Sequence, residues 1–284
     1  MKNKLPLIGL FIATLIYGFI NLLYRFVGDI NYLSVAFFIL FFSTIIMLPI
    51  LKLSKKLREV KSLKKLKLIL ILGFSQALTW FLIYFAVVNT SIINAVLGFM
   101  TTPVFVVILS PFILKEHINK KIMIALILAL LGILLIFDPR KLIQFIAPLG
   151  IISGILAGFS FGTNNILGRK LKDHYSPTSL TFLGSFIGTI FMFPLFLLSG
   201  SNIPNTISMS VIFLIALAGI VGAILIFYGL KYVIAQSASI ILLLEPLVSI
   251  IAALIVFFEI PQPLTILGGV LLLSADVIII RTQK

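Results

Sequence analysis

Two acidic residues lie inside long apolar runs and are the clearest candidates for chemistry in this sequence. Glu245 lies near the middle of the run 234–258, and Asp276 lies in the run 263–281. An ionised carboxylate in the middle of a bilayer costs about 2.5–3.5 kcal/mol. We therefore expect Glu245 to bind a cationic or amino group or cycle a proton, or else to be a structural acid hydrogen-bonded to neighbouring helices. Asp276 lies nearer the end of its run, where water or Arg281 can stabilise it.

A stripe of polar and aromatic residues is a second candidate. Gln76, Trp80 and Tyr84 follow one another at four-residue steps, which places them on one face of a helix. Aromatic faces accept organic cations and apolar solutes, so this stripe could form the wall of a cavity. Tyr84 could instead anchor its helix at the membrane surface.

Amides inside apolar runs form a third group. Asn21 and Asn165 occupy matching positions in two such runs, and Tyr17 precedes Asn21 by one helical turn. Amides are disfavoured against lipid, so we expect both to point inward, where they either bind a solute or join helices. The complete set that we predict to line a binding pocket is Tyr17, Asn21, Gln76, Trp80, Asn94, Thr102, Asn165, Ser237 and Glu245.

The elements that must position these side chains are ten long apolar runs. Hydrophobic residues make up 61% of the 284 positions, against about 45–50% in soluble domains, and the mean hydropathy is +1.26. A membrane-spanning helix needs roughly 20 residues, so we predict an all-α integral membrane protein with ten transmembrane helices. The predicted spans are 5–24, 33–53, 67–88, 92–114, 120–138, 147–168, 177–199, 209–230, 234–258 and 263–281.

The charge distribution predicts how these spans are oriented. The formal net charge is +14, yet the basic residues lie between apolar runs and form no aromatic-interleaved patch, so nucleic acid is not an expected partner. With a cytoplasmic N-terminus, all but three of the 22 Lys and Arg fall on the inner side. The positive-inside rule therefore predicts a multi-pass protein of the cell membrane with both termini in the cytoplasm. The basic segment 52–67 is either a solvated connector or a helix lying on the anionic inner leaflet.

One stretch of the sequence occurs twice. Residues 94–116 and 237–259 match at an offset of 143, with Pro103 aligned to Pro246 and a glutamate closing both copies. Proline and glutamate are the residues that an apolar helix tolerates least, so the match indicates a duplication. Each proline is expected to kink its helix, either as a gating hinge or as a static bend.

The duplication predicts a symmetric architecture. Each copy contains five predicted helices, and because five is odd, the second copy enters the membrane the other way up. We therefore predict two inverted five-helix repeats, at 1–140 and 141–284, with polar side chains gathered where the repeats meet.

The order of these motifs resembles the drug/metabolite transporter superfamily, in particular its EamA-type branch of ten-helix transporters. The motifs are Tyr17-Gly18, Phe161-Gly162, Tyr228-Gly229-Leu230-Lys231-Tyr232 with Ala235 and Ala238, and the two proline-to-glutamate stretches 103–116 and 246–259. The resemblance implies a central cavity, lined mainly by helices 1, 3, 4, 6, 8 and 9, that moves small metabolites. This chain has Tyr17 and Phe161 where the family often has tryptophan, and it lacks the basic residue that the family often has in helix 2.

The sequence contains no signature of an enzyme. It has no cysteine, no GxxxxGK[ST] loop and no HExxH motif, and His117 and His174 lie in separate loops. We therefore expect no catalytic residue, no metal and no cofactor.

The leading hypothesis is a secondary transporter that moves a small organic metabolite by alternating access, with a proton as a candidate coupling ion. Because the deep parts of the spans hold two acids and no base, a cationic or zwitterionic solute such as an amino acid fits better than an anion. The alternative is a flippase for a lipid-linked or amphipathic substrate.

Overall fold

The structure is helical throughout the residues that it describes. The computed structural model describes residues 4–28, 30–62, 64–90, 92–136, 148–200, 203–257 and 263–282, and these ranges contain no strand. The helices are α1 Leu5–Leu23, α2 Tyr32–Leu53, α3 Leu57–Lys61, α4 Leu66–Asn89, α5 Ile92–Phe99, α6 Thr102–Leu114, α7 Lys120–Ile136, α8 Pro148–Leu171, α9 Pro177–Leu198, α10 Thr206–Tyr232, α11 Ala235–Ile241, α12 Glu245–Phe257 and α13 Pro263–Thr282, with 3₁₀ turns at Tyr24–Phe26 and Leu242–Leu244.

Eight helical segments in the described ranges are long and apolar enough to cross a membrane. They are α1, α2, α4, α8, α9, α10, α13 and a segment that runs through α5 and α6. The other two predicted spans overlap α7, which has 17 residues, and the pair α11 and α12. The chain is therefore a multi-pass membrane protein, and every predicted span overlaps one of these segments.

The two spans that were predicted to kink are each interrupted just before the proline. α5 ends at Phe99 and α6 begins at Thr102, so Pro103 lies in the first turn of a new helix. In the same way, the turn Leu242–Leu244 separates α11 from α12, whose second residue is Pro246. Proline lacks an N–H and its ring collides with the carbonyl four residues earlier, so the chain restarts the helix at each proline.

Threonine hydroxyls satisfy carbonyl groups at the first break. Thr101 Oγ1 donates to the Gly98 carbonyl at 2.6 Å, and Thr102 Oγ1 donates to the Phe99 carbonyl at 2.7 Å. Unpaired carbonyls are costly at membrane depth, so these bonds make the break tolerable.

Glycines let helices from the two halves of the chain approach closely. A Cβ atom at Gly154 of α8 would lie 2.6 Å from the Ala95 carbonyl oxygen, and one at Gly158 would lie 2.8 Å from the Phe99 carbonyl oxygen. Small residues at such contacts are the usual means of packing helices in lipid. The glycines of α8 therefore form the surface on which α5 and α6 pack.

The connections that were predicted to lie on one side of the membrane share one end of the bundle. Glu116, after α6, bonds to Arg169 of α8, and Tyr175, between α8 and α9, bonds to the Lys64 carbonyl before α4. We call this end, which also carries the basic segment 52–67, the basic end. Gly28, in the connection after α1, approaches Ser208 in the first turn of α10.

Glu59 ties the basic segment to the start of α9. Its Oε2 accepts from Ser176 N at 2.9 Å and from Ser179 Oγ at 2.8 Å, and its Oε1 accepts from Lys56 Nζ at 2.7 Å. Burial alone would raise the pKa of Glu59, but these hydrogen bonds outweigh it and lower the pKa from 4.5 to about 2. The N-terminus of a helix also favours a nearby negative charge.

Replacing Glu59 with glutamine should destabilise the folded protein by about 1–2 kcal/mol near neutral pH. Because the pKa is depressed on folding, the stabilisation by the carboxylate is present above pH 4.5 and is lost as the pH falls toward about 2. Thermal unfolding at a series of pH values should therefore show the difference between Glu59→Gln and the unmodified protein shrinking below pH 4.5. The control is Asp173→Asn, an exposed acid of the next connection, and it should have little effect. A difference that stays constant down to about pH 3 would contradict the role of the carboxylate.

Candidate functional site

Glu245 and Asn21 form a hydrogen bond between the first and second halves of the chain. Asn21 Nδ2 in α1 donates to Glu245 Oε1 at 2.9 Å and to Ser249 Oγ at 3.2 Å. Ser249 Oγ in turn donates to the carbonyls of Gly18 and Glu245, both at 3.1 Å. Glu245 is 9% exposed, so its carboxylate faces the interior of the bundle. A buried acid with a neutral donor beside it retains the capacity to bind a positive group.

The local sequence sets this geometry. Pro246 forces α12 to begin at Glu245, immediately after a 3₁₀ turn. Gly18 lets α1 come close, since a Cβ atom there would lie 2.6 Å from the nearest atom of α12. Asn21 lies three residues after Gly18 and thus on the same face of α1, which brings its amide within reach of Glu245.

Aromatic rings gather against one face of α10. The Tyr17 ring packs on Gly222, where a Cβ atom would lie 2.6 Å from Tyr17 Cε2, and it meets the Phe161 ring edge-on at 6.4 Å between centroids. Trp80 Cζ2 lies 3.8 Å from the position of a Cβ atom at Gly219, about one turn earlier in α10. Tyr17 and Trp80, predicted as pocket residues, therefore lie on neighbouring turns of α10.

The sequence analysis did not name Tyr24, and for Tyr84 it left open a cavity wall and a surface anchor. The Tyr24 ring contacts the Tyr84 ring edge-on at 5.0 Å between centroids. Tyr84 is 5% exposed, so the interpretation of Tyr84 as a surface anchor is wrong. The four-residue step from Trp80 to Tyr84 was the signal, because it places both rings on the same inward face.

A polar contact joins α4 to α8. Asn164 Nδ2 donates to Gln76 Oε1 at 3.0 Å and to the Leu72 carbonyl at 3.2 Å. Asn165, which was predicted to point inward, is 2% exposed, and the amide that joins these two helices is its neighbour Asn164. Successive residues point about 100° apart around a helix, so the two amides face different neighbours.

The structure gives the four other predicted site residues different contacts. Asn94 Nδ2 donates to Thr90 Oγ1 at 3.2 Å, and the Thr102 hydroxyl donates to the Phe99 carbonyl at the end of α5. Asn165 and Ser237 are 2% and 0% exposed, and within the described residues Asn165 Oδ1 and Ser237 Oγ have no hydrogen-bond partner. The structure thus groups Tyr17, Asn21, Trp80 and Glu245 around α1 and α10, with Gln76 beside them on α4.

Asp276 differs from its expected setting. It is 3% exposed, and neither carboxylate oxygen has a hydrogen-bond partner among the described residues. The expectation that water or Arg281 would stabilise it is wrong, because the inner face of α13 packs against other helices.

An ion pair joins several helices at the basic end of the bundle. Arg169 Nε donates to Glu116 Oε1 at 2.8 Å, and Arg169 Nη1 donates to the Leu230 carbonyl, also at 2.8 Å. Glu116 Oε2 accepts from Ala235 N at 3.1 Å. We call these contacts the Arg169–Glu116 cluster. It fastens the ends of α6, α8 and α10 to the start of α11, and its two charged side chains are only 13% and 12% exposed.

A shallow hollow of about 600 Å³ lies on the side of the bundle. Its walls come from Phe42 of α2, from Pro204 and from the first part of α10, and they are mostly apolar. None of the nine predicted site residues lines it. The hollow is therefore separate from the Asn21–Glu245 pair.

Comparisons with known proteins agree on one family. The model of the EamA-like transporter family matches residues 4–138 and again residues 148–281. An uncharacterized transporter of Archaeoglobus fulgidus is 30% identical over 94% of this chain and 93% of its own length. The S-adenosylmethionine uptake transporter of Rickettsia felis is 26% identical over 100% of this chain and 95% of its own length. A protein known from a crystal structure has the same fold, with a TM-score of 0.83 and 12% identity over 98% of this chain and 96% of that one. The chain belongs to the EamA-like transporter family and is a membrane transporter, not an enzyme.

Proposed function

We propose that this transporter moves a small organic cation or zwitterion across the cell membrane by alternating access. The observation that carries the proposal is the buried Glu245 carboxylate, which is hydrogen-bonded across the two halves of the chain by Asn21. A carboxylate in this setting attracts a positive group, and the rings of Tyr17 and Trp80 offer faces that accept organic cations. Gln76 supplies an amide at the same level of the bundle.

The architecture that we propose is ten transmembrane helices in two inverted repeats, residues 1–140 and 141–284. The two successive matches of the family model support it. The packing supports it as well. The helix α1 packs on α10 and α12 of the second half, and its counterpart α8 packs on α4 and on α5 and α6 of the first half. Inverted repeats around a central site are typical of transporters that work by alternating access.

In this scheme the basic end faces the cytoplasm, together with both termini, as the positive-inside rule requires. The helix breaks at Pro103 and Pro246 are the hinges, since a broken helix can bend without losing further backbone hydrogen bonds. The coupling ion would be a proton, for which Glu245 is the carrier.

S-adenosylmethionine is the substrate that we would test first. Relatives from Rickettsia, about one quarter identical over nearly the whole chain, are named for its uptake. The molecule carries a sulfonium cation, an amino-acid group and an aromatic base. These groups match a carboxylate, an amide and aromatic rings respectively.

The proposal predicts that the purified protein, reconstituted in liposomes, takes up labelled S-adenosylmethionine. Unlabelled S-adenosylmethionine or another cationic solute should compete, whereas an anionic metabolite of similar size should not. In detergent, a solute at one hundred times its Kd should stabilise the protein by about 2.7 kcal/mol. Uptake of anions in preference to cations would overturn the proposed substrate class.

A flippase for an amphipathic substrate is the alternative. Such a protein needs its polar site open to the lipid, and the hollow beside α2 contains none of the polar site residues. Small-solute transport is therefore favoured. Movement of a fluorescent phospholipid between leaflets of the same liposomes, without solute uptake, would favour the flippase.

A further inference from the structure

The basic segment 52–67 presents its positive charge on the surface of the protein. It contains eight Lys and Arg, and all except Lys56 are exposed. Its single acid, Glu59, is bonded to Lys56 and to the start of α9. The exposed part of the segment therefore carries cations without a competing carboxylate.

Two contacts fix how the segment is turned. Glu59 holds α3 against α9, and Tyr175 donates to the Lys64 carbonyl at 2.7 Å. Residues two positions from Glu59 lie on the opposite face of α3, and these are Leu57 and Lys61. An apolar and a basic side chain on the outward face are the combination found in helices that lie in the membrane interface. Leu53, which precedes α3, is 83% exposed.

The backbone on either side of α3 offers two positions at which the charge can be tested. Lys55 and Lys65 have φ angles of 57° and 59°, a left-handed conformation that favours glycine or asparagine. Lys115, outside the segment, has the same conformation, so the conformation by itself assigns no function. Glycine would relieve the strain at Lys55 and Lys65, so their charge can be removed without straining the backbone.

We propose that the basic segment is a binding surface for anionic phospholipid headgroups of the adjacent leaflet. Lys55 and Lys65 bind headgroup phosphates on either side of α3, and Leu53 and Leu57 enter the acyl boundary between them. Positive side chains close to an anionic leaflet are attracted to it, and the attraction weakens with salt. This inference does not depend on what the protein transports.

The test compares the unmodified protein with the double variant Lys55→Gly and Lys65→Gly. Native mass spectrometry and a titration with phosphatidylglycerol in neutral detergent report lipid binding. The variant should bind phosphatidylglycerol about thirtyfold more weakly, which corresponds to about 1 kcal/mol for each lysine removed. Without lipid, its unfolding temperature should be equal or higher, because glycine relieves both strained positions.

The matched control is Lys55→Arg and Lys65→Arg, which keeps the charge and should keep the binding. Phosphatidylcholine and inorganic phosphate should not replace phosphatidylglycerol. Equal binding of phosphatidylglycerol by the glycine variant would overturn the proposal. Equal binding of phosphatidylcholine, or an equal effect of inorganic phosphate, would overturn it as well, since the surface would then recognise acyl chains alone or any small anion.

Discussion

The Glu245→Gln variant should bind a cationic solute at least a hundredfold more weakly than the unmodified protein while it keeps its fold. Glutamine retains an oxygen that accepts from Asn21 Nδ2, so the bond between α1 and α12 can persist. The negative charge is lost, and removing one member of a buried ion pair costs about 3–5 kcal/mol. Calorimetry with S-adenosylmethionine measures the loss directly.

S-adenosylhomocysteine separates charge recognition from recognition of shape. It lacks the methyl group and with it the positive charge on sulfur, but it keeps the base and the amino-acid group. The unmodified protein should prefer S-adenosylmethionine, and Glu245→Gln should lose that preference. Asp173→Asn removes one negative charge from an exposed connection and should leave both affinities unchanged. Unaltered affinity in Glu245→Gln would exclude Glu245 from the substrate site.

Reversing the charge of Glu116 should open the basic end of the bundle. In the unmodified protein, Arg169 bonds to Glu116 and to the Leu230 carbonyl, and these contacts join four helices. Glu116→Arg places two guanidinium groups together and releases Ala235 N. A change of about 1.4 kcal/mol shifts the equilibrium between a closed and an open basic end tenfold. We therefore expect the loss of these partly buried contacts to raise the population of the open state at least tenfold.

A cysteine at position 110 reports this opening. The chain contains no cysteine, so Ser110→Cys provides a single thiol, buried beside Gln236 at the inner side of the Arg169–Glu116 cluster. A charged maleimide applied at the basic end should label it at least tenfold faster in Glu116→Arg than in the unmodified background. In a second background, Glu116→Gln, the labelling rate of position 110 should increase less. An exposed cysteine at position 173 should be labelled at the same rate in the unmodified, Glu116→Arg and Glu116→Gln backgrounds. Unchanged labelling of position 110 would show that the cluster does not close this end.

Some features of the site could be read from the sequence because they depend on residue type alone. Glu245 is too costly to expose to lipid, so its inward position followed from its identity. The duplicated prolines likewise marked the two places where a span departs from a regular helix. The sequence did not distinguish a kink from a break, because this depends on whether neighbouring side chains, such as those of Thr101 and Thr102, satisfy the freed carbonyls.

The face that each residue presents was predicted less well. Asn164 rather than Asn165 bonds to Gln76, and Tyr84 lies inside the bundle rather than at its surface. In a soluble protein, the alternation of apolar and polar residues reveals which face of a helix is buried. In a membrane protein both the lipid side and the packed side are apolar, so this signal is weak and inward faces must be inferred from a few polar residues.

The sequence by itself determined that this chain crosses a membrane several times and where its long apolar segments lie. These properties follow from hydropathy summed along the chain, because a backbone in lipid must form helices. Only the tertiary structure decided that Asn21 meets Glu245, that Tyr17 and Trp80 pack on neighbouring turns of α10, and that Arg169 bonds to Glu116 at the basic end. Such contacts join residues distant in sequence, and they depend on the rotation and close approach of helices that glycines at particular positions allow.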